Sequence, residues 1–100
     1  MISTLMIAAA LAQSADDLQG PRAAFDNCLE ERVAAAKAEG QTPADFRNAI
    51  RTACAAEAVA LRTALIAYDL STGQGQGDAE GWADEDINDS RDAAARRYER

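Results

Sequence analysis

One hundred residues carry 17 acidic and 10 basic side chains, a net charge of −7, and no histidine. That balance argues against nucleic acid or an anionic membrane surface as partner and leaves a basic protein partner open. Without histidine the chain lacks the commonest general base near neutral pH and the most frequent transition-metal ligand.

Taken in chain order, residues 1–12 hold no ionisable side chain, and Leu5 to Ala12 is almost wholly apolar. Ala10-Leu11-Ala12 has the small-x-small form that a signal peptidase accepts. We therefore expect a signal peptide over 1–12, cleavage before Gln13, and a periplasmic or secreted protein. No Lys or Arg precedes the apolar run, and the alternative is a short buried helix in a cytoplasmic chain. The run is far shorter than the roughly 20 residues a membrane-spanning helix needs, so no stable membrane insertion is expected.

Residues 13–100 suit one small helical domain. Large apolar side chains are sparse and alanine supplies much of the remainder, so the core is thin and a disulfide is a natural supplement. The pattern predicts a first helix over 21–39. Pro21 suits its first turn and Gly40 its left-handed exit, while Phe25, Cys28, Leu29, Val33 and Ala36 recur at spacings of three and four. Thr42 is placed to cap a second helix and Pro43 to open it. Phe46, Ile50, Cys54, Glu57, Leu61, Leu65 and Tyr68 then carry that helix to residue 70 as one element.

Cys28 and Cys54 each lie thirteen positions from residue 41. In a hairpin folded about residues 40–42 they reach the same height, because both helices rise ~1.5 Å per residue. Both fall on or beside an apolar stripe, an arrangement that meets the short Cα separation of a disulfide; the alternative is two buried thiols. Two cysteines this far apart, without histidine, form neither a CxxC redox pair nor a zinc site.

Residues 71–85 contain Gly73, Gly75, Gly77 and Gly81 and read as a flexible acidic linker. A third helix is predicted over 86–99, with Ile87, Arg91, Ala94 and Tyr98 on one face. Acids at its start and Arg96, Arg97 and Arg100 at its end suit the helix dipole. Trp82 is expected to latch this helix onto the hairpin, and Trp82, Tyr98 and Glu57 are the candidate interaction residues. Glu57, on the inner stripe, is either a buried proton switch or a partner for Arg22 or Arg62.

Asp84, Asp86, Asn88 and Asp92 fall at alternating positions, as oxygen ligands do in a calcium-binding helix-loop-helix loop. Asp89 stands where that loop needs glycine and Ala95 where it needs a bidentate Glu. They are weak candidates only, and no metal or cofactor is expected. No GxSxG, HExxH, phosphate loop or dinucleotide fingerprint is present, so no catalytic residue is assigned and the chain does not read as an enzyme.

Phe46-Arg47-Asn48 leading to Cys54-Ala55-Ala56-Glu57, followed by leucines and Tyr68, resembles the repeat segment of LprI-like lysozyme-inhibitor domains, which implies an inhibitor role. That family carries more cysteines and a stronger Leu-Asn signature. In size, helicity and a single inter-helix disulfide the chain is similar to periplasmic acid-stress chaperones, which implies an apolar stripe exposed on acidification. The resulting expectation is an all-α fold, an antiparallel helical hairpin with an inter-helix disulfide plus a third C-terminal helix. Its function is that of a small exported binding or interaction protein. The alternatives are an acid- or cation-responsive chaperone-like protein and a lysozyme-inhibitor-like protein.

Overall fold

A computed structural model describes residues 15–100, so the expected signal peptide over 1–12 lies outside the described residues. A 3-10 turn at Ala15–Leu18 leads directly into α1 (Gln19–Glu39). There follow α2 (Pro43–Ile50), α3 (Ala55–Ser71) and α4 (Gln76–Tyr98). Among the described residues the protein is all-α with four α-helices, where the sequence pattern predicts three. No helix among the described residues is long and apolar enough to cross a membrane.

The exit from α1 is the one its glycine predicts. Gly40 takes φ +70°, its amide bonds to the Lys37 carbonyl, and the Gln41 amide reaches back to Ala36. This Schellman arrangement satisfies two of the carbonyls a helix end leaves open. Thr42 then caps α2, its Oγ1 accepting the Asp45 amide at 3.1 Å, with Pro43 in the first turn.

The predicted second helix over 43–70 is broken in two. Residues 51–54 form a turn, and Cys54 sits in the left-handed region at φ +59°. Nothing in Arg51-Thr52-Ala53-Cys54 opposes helix, so the cause is tertiary. Cys54 is bonded to Cys28 on α1, with Cα atoms 6.0 Å apart, and Arg91 of α4 donates to the Ala53 carbonyl at 2.7 Å. The disulfide therefore links α1 to the start of α3, with α2 folded aside, and does not join the two arms of a simple hairpin.

The predicted linker over 71–85 is largely helix. Only residues 72–75 connect α3 to α4, with Gly73 at φ +94° making the turn. Ala79, Ala83, Ile87, Ala94, Ala95 and Tyr98 are the buried face of α4, and its alanines let the helix backbone come close to its neighbours. Residue pairings give the directions. Arg22 meets Asp86 and Glu30 meets Arg97, so α1 and α4 run parallel, whereas Arg62 meets Asp84 and Ala53, just before α3, meets Arg91, so α3 and α4 run antiparallel. The core holds Phe25, Leu29 and Leu61 fully buried, joined by Phe46, Ile50 and Ile87.

Candidate functional site

The residues singled out from sequence have unequal fates. Cys28 and Cys54 pair, and no free cysteine remains. Tyr98 is buried, its ring stacks on Phe46 with centroids 4.3 Å apart, and its hydroxyl donates to the Gln41 carbonyl. Tyr98 is thus the latch that the sequence assigned to Trp82. Trp82 lies within α4 and is 48% exposed, an orientation open to contact. Glu57 stands half-buried in the first turn of α3, where the helix dipole favours a carboxylate. Arg22 and Arg62, its expected partners, are engaged by Asp86 and Asp84.

The alternating acids do not form a loop. They lie on α4, where residues two apart diverge by about 200°. Asp86 faces α1 and pairs with Arg22, while Asp84 faces α3 and pairs with Arg62 at 2.7 Å. That arginine holds the Asp84 carboxyl below its ordinary range. Among the described residues no group of three or more His, Cys, Asp or Glu is placed to hold a metal ion.

The feature with unassigned chemistry is a groove between α3 and α4. Ala55, Ala58, Val59 and Arg62 recur along one face of α3 at spacings of three and four. Asp84, Ile87, Asn88 and Arg91 repeat that spacing on α4, and both sets line an open groove of about 510 Å³. Arg51, which ends α2, closes it together with Thr52. A second depression of about 400 Å³ adjoins it, lined by Arg47, Ile50, Arg51, Asn88, Arg91 and Asp92. Arg51 and Arg91 line both.

Arg91 is the best-defined side chain here. One terminal nitrogen is bonded to Ala53, its guanidinium lies 5.5 Å from the Phe25 ring centroid, and its Nε is buried without a partner. Burial lowers its pKa, the mark of a cation taken partly out of water. No ion pair among the described residues involves Arg91 or Arg51, whereas Arg62 and Arg47 are matched by Asp84 and Glu99. Sequence inspection passed over Arg51 altogether and placed Arg91 only as a face member. The available signal was Arg91 itself, a cation within the apolar stripe Ile87, Ala94 and Tyr98.

Comparison with protein-family models, with curated proteins and with solved structures finds no match for this chain.

Proposed function

We propose that the chain is a small exported helical binding protein, working in the periplasm or outside the cell. The observation that carries this reading is the Cys28–Cys54 disulfide, which uses both cysteines of the sequence. Such bonds persist in oxidising compartments and are rare in reducing ones. The apolar run ahead of Gln13, with its acceptable cleavage site, supports the same compartment. A binding role agrees with open grooves that hold no recognisable catalytic constellation, and a net charge of −7 favours a basic protein partner.

The test is the intact mass of the protein from its native host, with and without reduction, after thiol alkylation. A chain beginning at Gln13 that resists alkylation until reduced is the expected result. A full-length chain alkylated at both cysteines without reduction would overturn export.

One observation favours a second reading, an acid-responsive chaperone-like role. Among the described residues the ion pairs Arg22–Asp86, Arg62–Asp84, Arg97–Glu30 and Arg47–Glu99 all involve α4 or the residue that ends it. Of the four carboxylates Asp84 is held below its ordinary range by Arg62, so strong acid removes that contact between α3 and α4.

A further inference from the structure

We propose that the α3–α4 groove binds a small amphiphilic anion, a carboxylate carrying a short apolar chain. The carboxylate lies between Arg51 and Arg91, and the chain runs over Ala58, Val59 and Ile87. This deepens the reading of the protein as a binding protein and is independent of its export.

The charge distribution selects the sign of the ligand. The molecule is acidic as a whole, yet the end of this groove collects two arginines that have no carboxylate partner among the described residues. Arg91 is fixed in place by the Ala53 carbonyl and the Phe25 ring, so little side-chain order remains to be imposed when an anion arrives. Its buried, unsatisfied Nε shows that its present surroundings do not complete its bonding capacity.

The amino end of α3 adds to the same field. Cys54 provides no side-chain cap there, and Ala55 lines the groove. First-turn amides and the positive end of the helix dipole are thus presented beside the two guanidinium groups. Glu57, the one acid in that turn, lies two residues from Ala55 and so about 200° around the helix, away from the groove.

The walls select the rest of the ligand. Beyond the arginines the walls are Ala55, Ala58, Val59 and Ile87, with Thr52 and Asn88 as the uncharged polar members, and Val59 is 64% exposed in spite of its apolar side chain. At the far end Arg62 is balanced by Asp84, so the groove offers a cationic head site and a wall without net charge. Its volume, about 510 Å³, lies within the range of small-molecule sites. An inorganic anion would leave the wall uncovered, and a cationic amphiphile would meet the arginines.

The experiment is isothermal titration calorimetry of the full disulfide-bonded chain with sodium octanoate, octylammonium chloride and inorganic phosphate. The variants are Arg51→Gln, Arg91→Gln and, as a control for net charge, Arg96→Gln. The expected result is saturable octanoate binding, at least tenfold tighter than that of the other two probes. Arg51→Gln weakens it about tenfold, whereas Arg96→Gln leaves it unchanged. Arg91→Gln also releases Ala53 and can disturb the fold, so Arg51→Gln is the deciding variant and circular dichroism is recorded for each.

Octanoate binding unaltered by Arg51→Gln would overturn the proposal. So would octylammonium binding equal to octanoate, phosphate binding equal to octanoate, or no octanoate binding by the folded chain. Because the titration uses purified protein, its failure is distinct from a failure of the mass measurement that tests export.

Discussion

At the scale of single residues, Tyr98 holds together parts of the chain that are far apart in sequence. Its ring stacks on Phe46 of α2, and its hydroxyl reaches the carbonyl of Gln41, whose amide already closes the end of α1. One side chain near the C-terminus therefore fixes the α1–α2 turn against α4. Removing the hydroxyl alone leaves a partly buried carbonyl without its donor, so Tyr98→Phe should cost about 1 kcal/mol. Tyr98→Ala also empties the space beside Phe46 and should cost about 3–5 kcal/mol. Urea unfolding of the two variants checks both figures; a Tyr98→Phe curve superimposable on the wild type would mean that the hydroxyl bond contributes nothing net.

Elements rather than residues account for what sequence reading captured and what it missed. The α1 exit and the α2 start were legible because glycine, threonine and proline act locally. The break at residues 51–54 was not, because Phe46, Ile50, Cys54, Ala58 and Leu61 remain spaced by four or three residues across it, so the hydrophobic period never falters. A disulfide to α1 and an arginine from α4 make the break, and neither is a property of the segment itself. Two variants lacking the bond test whether the turn survives without it. Loss of the disulfide should remove about 3.5 kcal/mol in the loop-entropy model for a separation of 26 residues. If Cys54 keeps its left-handed backbone, the double variant Cys28→Ala/Cys54→Gly should be about 1 kcal/mol more stable than Cys28→Ala/Cys54→Ala. If α2 and α3 instead merge into one helix, alanine becomes the better residue and the order reverses. The start of α4 was missed for another reason. Glycines and acids dominate the composition of 71–85 and conceal the buried Ala79 and Ala83, one helical turn apart. At Gly81 an added Cβ would meet nothing within 4 Å, so Gly81→Ala should stabilise the fold by about 0.5–1 kcal/mol. A flexible linker would show no such gain in urea unfolding.

For the whole molecule, the placement of charge makes α4 the part most sensitive to pH. Ten basic side chains keep their charge in acid, while each carboxylate that pairs with them can be neutralised. Asp84 gives the sign: its folded pKa lies below the ordinary value of 3.8 because Arg62 donates to it. Its contribution to stability is therefore present above the unfolded value and disappears as pH falls through the lower, folded one. Asp84→Asn should be slightly less stable than the wild type at pH 7 and indistinguishable from it at pH 2. Because the pair is exposed, 0.5 M salt should shrink the pH 7 difference. Arg22–Asp86, Arg97–Glu30 and Arg47–Glu99 join the same helix and its last residue to α1 and α2. Releasing α4 would strip Ile87, Ala94, Ala95 and Tyr98 from the core they share with Phe25, Leu29 and Leu61, while the disulfide still ties α1 to α3. The expected outcome near pH 3 is a chain that keeps most of its far-ultraviolet helical signal yet binds a hydrophobic fluorescent dye that it ignores at pH 7. Dye binding absent at both values, with the helical signal intact, would show that packing holds α4 without its ion pairs and would remove the acid-responsive reading.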